Sequence, residues 1–392
     1  MVTSKKRNCV VIKDAGRRVD KHSVAWYDTS FRALIDDYFN TGDIGVYDST
    51  LKLLDYDNLY RLNIDQPVDA KVAAALSEKY EYICLRASNY VHEQMSWGYL
   101  SDWLDAVQLP VVCLGVGAQA SKERRIELPA EGRRVWHAIA ERSPSIGVRG
   151  GFSASVLADN GVKNVDIVGC PTIFRSLAPV LHLRHKSINE IERVAFSLRR
   201  ETGANYTNNV DDFLETQKKL IVRLNRRFSL VVTAHGEIEE KIYYYKDIVR
   251  LKETRWRLID SNWFDPIFGR ELEEIYAMQL FFTPVVSHYD ELVRALDFTI
   301  GYRVHGVLPA LAMGTPGVLL RYDARSAELA ETLRVPIFDP KVALTVPFES
   351  IFHRDLFCEF EGHYPAAYQT MRAFLEKNQI ANLMQEAVLA AA

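Results

Sequence analysis

Phe298-Thr-Ile-Gly-Tyr-Arg-Val-His-Gly-Val-Leu-Pro-Ala-Leu-Ala-Met-Gly-Thr-Pro316 is the stretch on which the fold turns. Residues 298–301 form a short apolar run bounded by a glycine, the pattern of a buried strand. A turn carrying Arg303 and His305 follows, then an apolar helix over 304–313, closed by Gly314 and Pro316. Strand, turn and helix in that order make one βα unit. The same unit recurs outward in both directions. Toward the N-terminus, strand-like runs at 9–12, 60–63, 82–86, 110–115, 145–148 and 165–168 alternate with helix-like segments at 46–54, 70–80, 97–107, 130–142 and 152–160. After a mixed, basic stretch at 172–189, a second series places strands at 194–198, 229–234, 284–287, 298–301 and 318–320. Its helices fall at 207–224, 237–251, 270–281, 289–296, 304–313 and 326–333, and 368–391 reads as one long terminal helix. Alternation at this pitch predicts α/β architecture with parallel sheets. The break near residue 180 predicts two Rossmann-like lobes across a cleft: 1–180, which contributes Arg149, and 181–366, with a helix over 367–392 packing back on the first lobe.

Composition narrows the classes. The chain has 392 residues, 48% of them apolar and 25% charged, which excludes disordered, collagen-like and coiled-coil chains. Its 48 basic and 51 acidic residues give a net charge of −3, which argues against a nucleic-acid partner. Cys9, Cys84, Cys113, Cys170 and Cys358 are an odd, widely spaced set without a CxxC pair, so they read as free thiols of a reducing compartment. The basic start through Lys5-Lys-Arg7 meets only the short apolar run at 9–12, and 304–320 is broken by glycines and prolines. Neither a secretory signal nor a membrane span fits, and the expected location is the cytoplasm. No His/Cys/Asp/Glu cluster has metal-ligand spacing, so the expected cofactor set is empty.

Ligands of open α/β sheets bind beyond the carboxyl ends of the strands, so polar residues just after predicted strands are the candidates. Arg303 and His305 stand at one such turn, where a helix N-terminus suits an anion and a histidine can transfer protons near neutral pH. The alternative there is a core histidine and an arginine paired with a surface acid. Arg325, twenty residues after His305, follows the neighbouring strand in Leu319-Leu-Arg-Tyr-Asp-Ala-Arg-Ser-Ala-Glu328, where Asp323 reads equally as an N-cap. Arg149 ends another strand ahead of Gly150-Gly151. Two or three arginines and a histidine on one cleft edge suit a small, multiply charged anion. Supporting candidates are Asn40, Gly42 and Asp43 in Asn40-Thr-Gly-Asp-Ile-Gly45, Gly117 and Gln119 in Gly115-Val-Gly-Ala-Gln119, His235 on the acceptor side of the cleft, and Glu328. Cys170 reads as a buried thiol, since no base adjoins it in sequence.

These motifs together resemble the polysaccharide pyruvyl transferase family. The likeness rests on Asn40-Thr-Gly-Asp-Ile-Gly45, Gly115 to Gln119, Ile146-Gly-Val-Arg-Gly150, Val168-Gly-Cys-Pro171, Gly301-Tyr-Arg-Val-His-Gly306, Ala310 to Pro316 and Asp323-Ala-Arg-Ser-Ala-Glu-Leu329, in family order. The resemblance implies a GT-B-like pair of lobes, phosphoenolpyruvate as co-substrate, and a glycan or lipid-linked oligosaccharide as acceptor in exopolysaccharide biosynthesis. It further implies a pyruvate ketal as product with release of phosphate. It assigns Arg149, Arg303 and Arg325 to donor binding and His305 to catalysis. Tyr302 and Val304 stand where relatives often carry Thr and Leu, and Arg325 where some carry Lys.

Two other classes compete. A nucleotide-sugar glycosyltransferase on the same fold needs a carboxylate for the ribose, and Glu328 is placed for that. A non-catalytic glycan-binding partner needs none of the four charged motif residues. Residues 205–211 and 256–269 are acceptor-loop candidates by position. A lipid-linked acceptor implies peripheral association with the inner membrane face, with Arg255-Trp-Arg257 and Trp263 as the contacting group.

Overall fold

The computed structural model describes residues 7–20, 23–201, 207 and 209–386. Six strands of the second lobe form one parallel sheet in the order Leu280–Phe281, Ser229–Thr233, Arg193–Ser197, Phe298–Gly301, Gly317–Leu320, Ile337–Phe338. Counted along the chain this is 3-2-1-4-5-6, the doubly wound dinucleotide-fold order. In the first lobe, Asn58–Leu62, Asn8–Ile12, Tyr82–Leu85 and Val111–Cys113 pair in parallel, an order of 2-1-3-4. Val116 then donates to the Gly147 carbonyl at 3.0 Å and Arg149 to the Val116 carbonyl at 2.9 Å, which carries the sheet on to Ile146–Val148 and Val165–Ile167. The chain therefore folds into two Rossmann-like lobes in a GT-B-like arrangement. The central strands are apolar because they are covered on both faces: Asn8–Ile12, Tyr82–Leu85 and Phe298–Gly301 are buried throughout.

Some expected elements differ. The strand expected at 284–287 is instead a brief extended piece outside the main sheet, where Val285 pairs with Ala25, and the helix Val286–Ala295 starts at once. The sheet strand there is Leu280–Phe281, which was expected to end a helix. The single helix expected at 237–251 is two, Ile238–Tyr244 and Ile248–Asp260, because Lys246 takes a left-handed φ of 53° between them. The last helix is Cys358–Lys377, ten residues upstream of its expected start; Gln379 at φ 59° follows its end, and 387–391 lie outside the described residues. The basic residues Lys5 and Lys6, and residues 205, 206 and 208 of the 205–211 loop, lie outside them too.

Contacts between the lobes are numerous and buried. The last helix returns to the first lobe, where Asn378 accepts the Ser145 N–H at 3.3 Å and Lys377 meets Asp166 at 2.7 Å. Arg175, fully buried at the crossing between lobes, pairs with Asp48 at 2.8 Å on the helix Thr41–Leu53 and with Asp290 at 2.6 Å on Val286–Ala295. On one rim Ala324 donates to the Ala120 carbonyl at 3.2 Å, and on the other Thr41 donates to the His235 carbonyl at 2.8 Å. No helix among the described residues is long and apolar enough to cross a membrane. Trp263, offered above as a membrane contact, is 2% exposed and belongs to the core; Trp256 is half exposed.

Candidate active site

Each sheet reverses strand order once, and both reversals fall on the cleft. In the second lobe the reversal lies between Arg193–Ser197 and Phe298–Gly301. Tyr302 extends that ladder by donating to the Ser197 carbonyl at 3.2 Å, and Arg303 then caps the helix Val304–Ala312. Gly306 lets this helix lie directly on the neighbouring strand, because a Cβ there would run into the Ser197 hydroxyl and approach His235. In the first lobe the reversal lies between Asn8–Ile12 and Tyr82–Leu85, whose carboxyl ends lead to Lys13 and to Arg86, Ser88 and Asn89.

His305 crosses from the second lobe to meet the first. Its Nε2 lies 3.6 Å from Cys170 Sγ, and its ring abuts Gly42, where a Cβ would touch it. Burial, and then the positive charges of Arg149 and Arg325, hold His305 well below the usual imidazole value, so it is uncharged at neutral pH. Arg149 is fully buried at the end of Ile146–Val148. Its Nε donates to the Gly115 carbonyl at 3.1 Å and its Nη1 to Asn89 Oδ1. Asn89 is held in turn by Gln119, which accepts its amide at 2.9 Å. Gly117 makes room for the guanidinium, since a Cβ would press on its Cδ. Arg149 Nη2 is buried and has no acceptor among the described residues. Leaving such a donor unmet costs on the order of 1–3 kcal/mol, and functional sites are where such a cost is retained. Arg325 donates to the Tyr322 hydroxyl and sits 3.5 Å from Asp323 Oδ2. A cavity of about 560 Å³ lined by Phe213, Tyr302, Tyr322, Asp323 and Arg321 opens beside it.

The remaining candidates are accounted for by the protein itself. Arg303 is tied to Glu237 and donates through Nε to the Leu198 carbonyl at 3.0 Å, so its charge is matched within its own lobe. Burial alone would raise the Glu237 carboxyl, but Arg303 and the His235 N–H bring it down to about 2. His235 is 2% exposed and bridges the lobes: Nδ1 meets Thr41 Oγ1 at 3.0 Å and Nε2 meets Ser197 Oγ at 3.1 Å, so it does not stand free on the acceptor side. Asp323 caps the helix Ala324–Leu333 by accepting the Ser326 N–H at 2.8 Å. Asn40 caps Thr41–Leu53 by accepting the Gly42 N–H at 2.9 Å, so the glycine loop is a helix start. Asp43 accepts from Ser88 Oγ at 3.3 Å and lies 3.7 Å from Arg86. Glu328 accepts the Ser153 N–H at 2.6 Å and its hydroxyl at 2.9 Å. The anion at the N-terminus of Gly151–Asp159 is therefore the protein's own carboxylate, and Glu328 is not available to a ribose. Sequence reading missed Asn89 and the pairing of Cys170 with His305. A signal existed for Asn89, which follows a strand at the switch point.

The buried imidazoles give a pH prediction. Burial, then Arg303, lowers His235 to about 3, whereas an unfolded histidine titrates near 6.5. Between those values the unfolded chain binds more protons, so stability falls as pH falls below about 6.5. His305 acts in the same direction. Each uncharged imidazole contributes a slope of up to about 1.4 kcal/mol per pH unit. Urea unfolding at pH 7, 6 and 5 should show a progressive loss, smaller in His235→Gln; equal stability at all three contradicts uncharged burial.

Against known proteins, a sequence model of the polysaccharide pyruvyl transferase family matches residues 36–324. No curated protein matches the chain significantly. Among solved structures, UDP-GlcNAc 2-epimerase from Methanocaldococcus jannaschii, in complex with UDP-GlcNAc and UDP, aligns at 11% identity over 95% of this chain and 99% of that one, with a TM-score of 0.47. The Neisseria meningitidis UDP-GlcNAc 2-epimerase bound to UDP-GlcNAc aligns at 10% identity over 95% and 99%, TM-score 0.47. That from Rickettsia bellii aligns at 12% over 95% and 96%, TM-score 0.45.

Proposed function

The chain belongs to the polysaccharide pyruvyl transferase family, and from that premise we propose that it transfers the pyruvate unit of phosphoenolpyruvate to a pair of hydroxyls on a glycan or lipid-linked sugar, forming a ketal and releasing phosphate. The observation that carries this reading is Arg149, a fully buried guanidinium with an unmet Nη2 donor, beside His305 at the floor of the cleft. Phosphoenolpyruvate is small and carries two anionic groups. Arg149 and Arg325 supply two cations for it, and guanidinium stays charged even when buried. Arg303, paired with Glu237, fixes the turn that presents His305.

The chemistry then needs a proton delivered to the enol methylene and a proton taken from each attacking hydroxyl. We assign both transfers to His305. The cavity of about 560 Å³ lined by Tyr302, Tyr322 and Asp323 is the space we assign to the acceptor sugar. The test incubates the protein with phosphoenolpyruvate and a panel of lipid-linked and free glycans. Mass spectrometry should find a pyruvate ketal, with one phosphate released per ketal. Consumption of a nucleotide sugar with phosphoenolpyruvate untouched would establish the glycosyltransferase reading instead.

A further inference from the structure

Cys170 sits where the first lobe's last strand leads into the crossing. It is fully buried. Its Sγ lies 3.6 Å from His305 Nε2, across 135 residues of sequence, and 3.4 Å from Thr172 Oγ1. Cys170 and Arg149, whose buried Nη2 lacks an acceptor among the described residues, influence one another electrostatically. The other thiols of the first lobe are placed differently. Burial alone pushes Cys113 up, and Cys84 is pushed up by its contact with Cys9 and by burial. Among the described residues neither meets a base; Cys170 meets His305. A thiol within reach of an imidazole, with a cation alongside, is the arrangement of an activated nucleophile.

His305 also has a need that Cys170 meets. An imidazole that begins the cycle uncharged can accept a proton but cannot give one to carbon. The thiol against its Nε2 is a proton source at the correct distance.

We propose that Cys170 is the covalent nucleophile of pyruvyl transfer, adding with His305 across the enol double bond of phosphoenolpyruvate. This rests on the donor assignment above. The thiol proton passes to His305 Nε2 and from there to the methylene carbon, which becomes a methyl group. The C=C π pair forms the new C–H bond, and a thiolate lone pair forms the S–C bond at the phosphate-bearing carbon. No redox change occurs. In the tetrahedral adduct a sulfur lone pair then expels phosphate, the first acceptor hydroxyl adds to that carbon, and its proton leaves with the phosphate. The lone pair of the new ether oxygen expels the thiolate, the second hydroxyl closes the ketal, and its proton returns to Cys170. The sum is phosphoenolpyruvate plus two hydroxyls giving ketal plus hydrogen phosphate.

The experiment mixes wild-type protein with phosphoenolpyruvate in deuterated water without acceptor, quenches it rapidly, and maps the peptides by mass spectrometry. Calorimetry on the same samples measures binding. The expected result is a tryptic peptide containing Cys170 heavier by one phosphoenolpyruvate, and solvent deuterium in the methylene of recovered phosphoenolpyruvate. Cys170→Ser should still bind phosphoenolpyruvate within a few-fold of wild type, form no adduct, and lose at least about 100-fold in ketal formation. Binding without an adduct in wild type, together with Cys170→Ala turnover within threefold of wild type, overturns the covalent role and leaves the donor reading standing. Absence of phosphoenolpyruvate binding in wild type overturns the donor reading and this inference together. The wild-type peptide map does not depend on whether a Cys170 variant folds.

Discussion

His305→Ala is expected to reduce phosphate release from phosphoenolpyruvate by about 10²–10⁴-fold while leaving binding of that donor within a few-fold of wild type. The asymmetry follows from charge. The imidazole is neutral in the folded protein, so its removal takes no cation from the site; Arg149 and Arg325 remain. What is lost is the imidazole that meets Cys170 across the lobes. Alanine suits the first turn of Val304–Ala312, so the helix should persist. The measurement pairs a coupled phosphate assay with calorimetry. Turnover within about tenfold of wild type, equivalent to less than about 1.4 kcal/mol, would remove His305 from the chemistry. A loss confined to binding would make it a ligand contact only.

Arg175→Met is expected to cost about 3–5 kcal/mol of stability. Arg175 has no exposed side-chain surface, and its partners Asp48 and Asp290 are 3% and 5% exposed. It also donates to Ser49 Oγ at 2.9 Å. Removing the guanidinium leaves two carboxylates against each other, with Lys52 alone to answer both, at 3.1 Å from Asp48 and 3.6 Å from Asp290. Because Asp48 and Asp290 belong to different lobes, the repulsion acts across the crossing. Adding Asp290→Asn to Arg175→Met should recover a good part of the loss, since it removes the like charge; urea unfolding of the single and double variants measures the coupling. If the two losses simply add, the three groups do not act as a unit.

Much of this architecture is legible in the chain. Strands such as Phe298–Gly301 and Tyr82–Leu85 announce themselves because a doubly covered parallel strand must be apolar along its whole length. What escapes reading has specific causes. Lys246 breaks a helix with a left-handed residue that is not glycine, and Gln379 follows the last helix in the same way. Pro284 and Val285 are extended, as their residue types suggest, but pair with Ala25 outside the main sheet. In the site, position was readable and partnership was not. Arg303 stands at a strand end like Arg149, and nothing local says that Glu237, at the start of the helix Ile238–Tyr244, will claim it. Glu328 lies on the right helix for a ligand role, yet Ser153 of the other lobe consumes it. Cys170 looked inert because its base comes from another lobe.

The two rims that join Glu328 to Ser153 and His235 to Thr41 bear on affinity. A binding protein that spends time open gives weaker apparent affinity, because only the closed fraction can hold its ligand. Here the halves are joined by hydrogen bonds from a buried carboxylate and a buried imidazole, which opening would exchange for water. On the proposed reading, the shape offered to the donor is then set when the chain folds, and its affinity is expected to be the intrinsic one. Selectivity then falls to whatever can enter from the side and fit, and release is governed by the ligand's own contacts and not by a swinging jaw.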